Sequence, residues 1–112
     1  AHGEHSVIAR GCTVEGEAEN SVLSERCTVE EGASVQYSIL MPGTVVKAGA
    51  VVEYSIIAEN SVIGERARVG SAPDGTEDWG VAVVAQDLSI GPDAVVSPKA
   101  MITRNVKGGG VK

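Results

Sequence analysis

The chain has 112 residues and a net charge of −6, from nine basic and fifteen acidic residues. That length suits one domain, and the excess of carboxylates repels phosphate backbones and anionic membranes, so neither nucleic acid nor a membrane is an expected partner. No apolar run approaches a membrane span and no signal-peptide layout opens the sequence, so a soluble cytoplasmic protein is expected. With no Phe, one Trp and two Tyr, any core must consist of small aliphatic side chains.

A short phrase recurs along the chain and sets its organisation. It stands at residues 20–23, 37–40 and 54–57, 17 residues apart, with a shorter copy at 6–8. Three aliphatic columns advance in step by 15 or 17 residues: Ile8, Leu23, Leu40 and Ile57; Val14, Val29, Val46 and Ile63; Ala18, Val35, Val52 and Val69. One period therefore predicts a triangular coil with three short sides, each pointing one aliphatic side chain inward. No helical period competes, so the fold is all-β: a single-stranded parallel β-helix without α-helix.

Small residues follow these aliphatics at fixed offsets and mark the corners: Cys12, Cys27, Thr44 and Ser61 in one file, and Ala33, Ala50 and Ala67 in another. The register slips once, at residues 71–82, and then resumes at Val84, Ile90, Val96 and Ile102. An insertion at one corner is typical of solenoids, and Pro73-Asp74-Gly75 gives it a turn. We predict a β-helix domain of five to six coils over 1–106, with an inserted loop at 71–82 and a flexible tail at 107–112.

The six-residue step resembles the hexapeptide repeat of left-handed β-helices, a family that breaks the usual right-handed crossover rule. More narrowly, four segments resemble the C-terminal domain of bacterial glucose-1-phosphate adenylyltransferases (ADP-glucose pyrophosphorylases). They are Ser6–Cys12, Val14–Gly16, Glu19–Leu23 and Ser38–Thr44. The resemblance covers residues 5–102, and its specificity lies in the order of these segments.

The resemblance implies a non-catalytic domain for subunit assembly and allosteric control, in an enzyme that makes ADP-glucose for glycogen synthesis. The parent's catalytic domain, with its G-G-x-G-T-R-L signature, is absent from this sequence. The chain is therefore expected to be a piece of a larger protein that docks its N-terminal coil on that domain, with no catalytic residue and no cofactor of its own. The chain has Gln86 where some relatives carry a lysine, which leaves Lys99, Arg104 and Lys107 as candidates for effector binding.

Strand alternation predicts an assembly surface. If the first column faces inward, its neighbours Val7, Val22, Ile39 and Ile56 face outward and form what we call the aliphatic ladder. Tyr37 and Tyr54 lie beside it, and a lone monomer seldom exposes so large an apolar patch. We expect a homo-oligomer formed through this face, the alternative being that the catalytic domain or flanking polar residues cover it. The other outward files are more polar: Thr13, Thr28, Val45 and Val62; Glu17, Ser34, Val51 and Arg68.

Other chemistry-bearing residues have simple structural explanations. Cys12 and Cys27 occupy equivalent positions in successive coils, within disulfide range, although a cytosolic setting favours reduced thiols that act as small core residues. Trp79 either anchors a partner or folds back onto its own domain. Asp74, Glu77 and Asp78 lack the ligand spacing of a calcium loop, so we predict no metal site.

Three other functions are compatible with, or share, the predicted fold. The β-helix tail of another sugar-nucleotide pyrophosphorylase, or of a catalytically silent regulatory subunit, is an open alternative. Hexapeptide acyltransferases share the fold but rely on a histidine base on a coil or loop, whereas the histidines here are His2 and His5. Carbonic anhydrases of this fold need three histidines around one metal, which two cannot supply.

Overall fold

The computed structural model describes residues 5–109. In them the chain forms sixteen strands of two or three residues and no helix. In chain order the strands are β1 Val7–Ile8, β2 Thr13–Val14, β3 Glu17–Glu19, β4 Val22–Leu23, β5 Thr28–Val29, β6 Ser34–Gln36, β7 Ile39–Leu40, β8 Val45–Val46, β9 Val51–Glu53, β10 Ser55–Ile57, β11 Val62–Ile63, β12 Arg68–Val69, β13 Ala82–Val84, β14 Ser89–Ile90, β15 Val95–Val96 and β16 Met101–Ile102.

Every third strand pairs in parallel with the next of its kind, so three sheets form the sides of a triangular prism. The first sheet has the order β1-β4-β7-β10-β13-β16, the second β14-β11-β8-β5-β2 and the third β15-β12-β9-β6-β3. The pairing is in register, as in Leu23 with Leu40 and Leu40 with Ile57. The predicted triangular coil is confirmed: the chain is an all-β parallel solenoid of about six turns.

The three aliphatic columns fill the interior of the prism. From Leu23 to Val96 their members are almost fully buried, and the core contains no aromatic side chain among the described residues. Ile8 also belongs to the inward column, yet 41% of it is exposed. It lies in the first coil, where β1 is the edge strand of its sheet, so within the described residues a neighbouring coil covers it on one side and not on the other. The column assignments from sequence are otherwise confirmed.

The corners depend on left-handed backbone conformations. Besides glycines, ten non-glycine residues of the described chain have positive φ: His5, Asn20, Arg26, Tyr37, Tyr54, Asn60, Arg66, Asp87, Asp93 and Lys99. His5 precedes β1, and the other nine each stand at a corner between strands of two different sheets, where the chain changes direction. Because such φ values cost most side chains energy, the stacking of neighbouring corners must stabilise them. Corner amides do bond between coils, as from Asn60 N–H to the Pro42 carbonyl at 3.0 Å.

The insertion leaves the prism between the third and first sheets, at the corner after β12. No strand forms between Gly70 and Val81. Ala82, which the sequence pattern assigns to the loop, instead opens β13 and pairs with Ser55. Ala82 is fully buried because its methyl group occupies the inward position of Ser55 in the coil before. The loop is therefore 71–81.

The last coil extends beyond β16. Val106 bridges Ile90 in parallel, and the Gly109 N–H donates to the Pro92 carbonyl at 3.0 Å. Hydrogen bonding to the preceding coil thus extends into the segment expected to be a tail. The predicted domain and tail also include residues 1–4 and 110–112, which lie outside the described residues. Within 5–109, no helix is long and apolar enough to cross a membrane.

Candidate assembly surface

The aliphatic ladder lies on the outer face of the first sheet. Val7, Val22, Ile39 and Ile56 are register partners from β1 to β10. Val7 is 64% exposed, Val22 and Ile39 are 42% and 43% exposed, and Ile56 is half-buried. The structure thus places the four predicted residues in one continuous file on the surface.

The file is longer than the sequence analysis recognised. Val83 pairs with Ile56, and Met101 pairs with Val83, so both extend the aliphatic ladder on the same face. Met101 is the most exposed large hydrophobic residue described, at 71%. The insertion hid these two residues, because it breaks the count of 17 that identified the other four.

The exposed hydrophobic residues are concentrated on this side of the prism. Each large hydrophobic side chain exposed in the described residues lies in a strand of the first sheet or within two residues of one: Val7, Ile8, Val22, Tyr37, Ile39, Met41, Val81 and Met101. The outer faces of the second and third sheets instead carry Thr, Ser, Glu and Arg beside half-buried valines. The apolar surface of the described chain is therefore one-sided.

An aromatic cluster borders the aliphatic ladder at the corner before β7 and β10. The rings of Tyr37 and Tyr54 are stacked, with centroids 4.8 Å apart and planes 9° from parallel. Trp79 meets Tyr54 edge-on, with centroids 5.7 Å apart and planes at 80°. Tyr37 is 52% exposed. The two tyrosines predicted to flank the ladder are therefore brought together, and the loop tryptophan joins them.

Trp79 folds back onto its own domain, which is the second of the two alternatives considered for it. Its indole Nε1–H donates to the Ser71 carbonyl at 2.7 Å, across the base of the loop. At the loop tip, Asp74 Oδ1 accepts hydrogen bonds from the Thr76 N–H and hydroxyl, at 2.9 and 2.7 Å, which hold the pKa of Asp74 below its ordinary value. The loop's acidic residues are exposed.

A buried serine ladder runs beneath the aromatic corner and was not predicted. The hydroxyl of Ser38 donates to the Gln36 carbonyl at 2.9 Å and accepts from the Ser55 N–H at 3.1 Å. Ser21 makes the same pair of bonds one coil earlier, to the Glu19 carbonyl and from Ser38. The serines recur in the repeated phrase, which was the signal available. Their hydroxyls satisfy backbone groups that the tight corner leaves unpaired between strands.

The three effector candidates lie on the last coil but at different corners. Lys99 stands between β15 and β16, Arg104 between β16 and Val106, and Lys107 just after Val106. All three are exposed. The structure therefore places them at three successive corners and does not gather them into one site. Within the described residues an ion pair forms elsewhere, between Arg66 and Asp93, with Nε to Oδ1 at 2.9 Å and both side chains largely exposed.

Cys12 and Cys27 stand at the same corner in the first and second coils, and both are free thiols. Cys27 is fully buried and Cys12 partly so. The Sγ of Cys12 donates to the Ser24 carbonyl at 3.1 Å, and that of Cys27 to the Met41 carbonyl at 3.3 Å. Burial, with a smaller contribution from Cys12, raises the pKa of the Cys27 thiol to about 11.

Groups suited to metal binding or acid–base catalysis are sparse in the part of the chain that the structure describes. Over residues 5–109, no three His, Cys, Asp or Glu side chains are arranged to hold a metal ion. The one histidine in that range, His5, is exposed in the first coil, and His2 lies outside the described residues. Among the described residues, the apolar outer face of the first sheet is therefore the surface best suited to bind a partner.

Comparison with known proteins places this fold in a family. The GlmU-like, C-terminal hexapeptide family matches residues 1–82. The glucose-1-phosphate adenylyltransferase of Bacillus cereus (strain Q1) is 44% identical over 46 residues, which cover 41% of this chain and 12% of that enzyme. Its counterpart in Bacillus mycoides (strain KBAB4) is 44% identical over 43 residues, covering 38% and 11%. The chain thus matches about a ninth to an eighth of the length of these relatives.

Two solved structures with a similar chain path are those of acetyltransferases. A variant of the GDP-perosamine N-acetyl transferase from Caulobacter crescentus is 19% identical, with 95% of this chain and 51% of that chain covered and a TM-score of 0.38. The acetyltransferase domain of PglB from Neisseria gonorrhoeae FA1090 is 21% identical, with 95% and 53% covered and a TM-score of 0.43. Likenesses of this size carry no inference about activity.

Proposed function

Since the chain belongs to the GlmU-like, C-terminal hexapeptide family, we propose that it is a non-catalytic assembly domain, the C-terminal β-helix of a glucose-1-phosphate adenylyltransferase. The family is one of hexapeptide repeats, and the left hand predicted for the solenoid agrees with it. In this proposal the chain supplies contacts between subunits, and another part of the parent protein supplies the chemistry.

The one-sided apolar face carries the proposal. Six aliphatic side chains stand in register on the first sheet, and the exposed hydrophobic residues of the described chain cluster around them. Removing apolar surface from water stabilises an interface by about 25 cal/mol per Å². A monomer that leaves these side chains in water obtains no stabilisation from them. A second copy that covers the file is therefore the simplest explanation for its presence.

The partner we propose for this face is another copy of the same chain. A flat, regular file with one repeat per coil is complementary to itself, since two such files can pack with side chains of one between those of the other. The file carries no charged residue, so two copies do not repel each other across it despite the chain's net charge of −6. Charged side chains lie instead on the outer face of the third sheet, at Glu17 and Arg68.

The adenylyltransferase assignment rests on the resemblance and on the matching relatives. The parent enzyme would make ADP-glucose for glycogen synthesis in the cytoplasm, and this domain would dock on its catalytic domain through the first coil, where Ile8 is exposed. Lys99, Arg104 and Lys107 remain proposed effector contacts. Placed at three separate corners, they would each contact an anion together with groups from a neighbouring subunit or domain.

Sedimentation equilibrium of the 112-residue chain tests the assembly role, with circular dichroism to establish that the chain is folded. We expect the apparent mass to rise above the monomer value with concentration. A folded chain that stays monomeric would contradict self-association and leave domain docking as the role of this face. An assay of the same sample with ATP and glucose 1-phosphate should give no ADP-glucose, and turnover would contradict the non-catalytic assignment.

A further inference from the structure

The two cysteines of the chain are stacked in neighbouring coils. Each directly precedes a strand of the second sheet, Cys12 before β2 and Cys27 before β5, and those strands pair in parallel with Thr13 opposite Thr28. The Thr13 N–H donates to the Cys27 carbonyl at 2.9 Å. Adjacent parallel strands lie about 4.8 Å apart, inside the range of roughly 4.4–6.8 Å that Cα atoms of disulfides span. The backbone therefore already holds the two residues at a bridging distance.

The thiols differ in access. Cys12 is partly exposed in the first coil, whereas Cys27 is fully buried behind it. A reagent from solvent thus meets the Cys12 sulfur first. The Cys12 side chain also helps to raise the pKa of the Cys27 thiol, as expected of two sulfurs that are close to each other.

The first coil is the part of the solenoid best able to adjust. The strands β1, β2 and β3 end their sheets, so each is bonded to a coil on one side within the described residues. Stacked side chains on parallel strands keep their Cβ atoms somewhat farther apart than the mean of about 3.8 Å in a disulfide. A small movement of this edge coil brings the sulfurs together. Such a movement disturbs one interface between coils, whereas the same movement in the middle of the stack would disturb two.

We propose that Cys12 and Cys27 form a reversible oxidation site that takes a small disulfide such as oxidised glutathione and closes into a bond between the first and second coils. The Cys12 thiol loses its proton, and its sulfur attacks one sulfur of the oxidant, which releases one glutathione thiolate to be protonated. The Cys27 thiol then loses its proton and attacks the Cys12 sulfur, and the second glutathione leaves and is protonated. Two protein thiols are oxidised to one disulfide, and one oxidised glutathione is reduced to two thiols.

The bond would fasten the first coil, which carries Val7 of the aliphatic ladder. That coil is held by amides that bond to the second coil, among them Val7 N–H to the Ser21 carbonyl and Ala9 N–H to the Leu23 carbonyl, both at 2.9 Å. Closing the loop between residues 12 and 27 also constrains the unfolded chain, which favours the folded first coil. The reduced and oxidised forms should thus differ in how often the first coil opens.

The alternative is that the thiols are simply small hydrogen-bond donors at a corner. Thr44 and Ser61 occupy the same file in the next two coils, and their hydroxyls donate to the Met41 and Ala85 carbonyls at 2.8 and 2.6 Å. The two explanations differ in what oxidant does to the protein. A purely structural pair keeps its thiols or stops at a mixed disulfide, whereas an oxidation site goes on to the internal bond.

The test treats the full chain with buffers of graded reduced-to-oxidised glutathione ratio and follows intact mass and thiol alkylation. We expect a product lighter by two hydrogens, without alkylatable thiols and restored by reduction, in which amides of the first coil exchange with solvent roughly tenfold more slowly or better. The Cys27→Ser control should stop at a glutathione adduct on Cys12, because the resolving thiol is missing. Retention of both thiols, an adduct on Cys12 in the unmodified chain, or a covalent dimer would each overturn the proposal.

Discussion

The ring of Tyr54 stacks on that of Tyr37 at 4.8 Å and also receives the edge of Trp79 at 5.7 Å. These are the three aromatic residues of the chain, which has no Phe, and all three lie outside the aliphatic core. Tyr54 links the aromatic side chain of the loop to the solenoid, because its ring contacts both of the others. The cluster thus fastens the 71–81 loop next to the aliphatic ladder.

Replacing Tyr54 should release the loop. Tyr54→Leu removes both ring contacts, each worth about 0.5–1.5 kcal/mol beyond area burial, and exposes Trp79 to water. Because Trp79 is the one tryptophan of the chain, its fluorescence emission should shift to longer wavelength. Tyr37→Leu is a matched control, since Tyr37 has the same left-handed backbone but does not stack on Trp79. An unchanged emission in Tyr54→Leu would contradict this role.

The buried serines of the ladder should contribute more to the free energy of unfolding than the serines on the surface. Ser38→Ala leaves the Ser55 N–H without its 3.1 Å acceptor in a buried corner, at a cost of about 1–3 kcal/mol. Ser34→Ala, in the same coil, removes an outward hydroxyl that accepts a 3.4 Å bond from Gln36 and should cost far less. Urea unfolding followed by circular dichroism compares the two, and equal losses would mean that the buried hydroxyl contributes nothing special.

Gly16 makes the short first coil possible. A Cβ at this position would lie 2.6 Å from the Glu30 carbonyl oxygen and closer still to that of Ala33. Since both atoms are backbone, Gly16→Ala should destabilise the chain by about 3 kcal/mol. At Gly75, in the loop, nothing lies within 4 Å and φ is +81°, so Gly75→Ala should cost about 1 kcal/mol. Thermal unfolding should therefore rank Gly16→Ala well below Gly75→Ala.

Stability should fall at high pH because of Cys27. Burial raises the pKa of this thiol from 9.0 to about 11. In the unfolded chain the thiol ionises near its ordinary pKa, while the folded chain keeps it neutral, so its contribution is complete below about pH 9 and is lost as the pH rises towards 11. The loss amounts to roughly 3 kcal/mol.

Comparison of the reduced chain with Cys27→Ser isolates this contribution from other groups that titrate in the same range. The free energy of unfolding of the variant should decline less between pH 9 and 11. Parallel profiles for the two proteins would show that Cys27 ionises equally in both states.

The repeat period predicted which side chains point inward, because a triangular coil places each inward residue at a fixed count from the last. The same count gave Val7, Val22, Ile39 and Ile56 as their outward neighbours. It lost Val83 and Met101, since an insertion changes the count without changing the stack. The count also placed Ala82 in the loop. In the structure Ala82 is instead buried in β13, because it pairs with Ser55.

The hydrogen bonds and ring contacts between corners could not be predicted from the sequence, for a different reason. The period shows that Ser38 and Ser55 are equivalent, but not that the hydroxyl of one accepts from the amide of the next. Tyr37 and Tyr54 were recognised as neighbours one coil apart, whereas their positive φ and the edge contact with Trp79 depend on how the corner and the loop turn in space. Sequence spacing gives the order of such residues, and only coordinates give their directions.

We propose that copies of this chain associate through the aliphatic ladder, and a pair of matched variants tests this association by sedimentation equilibrium. Ile39→Glu with Ile56→Glu places two carboxylates on the outer face of the first sheet, and Val45→Glu with Val62→Glu places two on the outer face of the second, where these valines are also register partners. With both variants shown to be folded, we predict that the first is monomeric and the second associates like the unmodified chain. Equal association of the two variants, or a monomeric unmodified chain, would contradict the account.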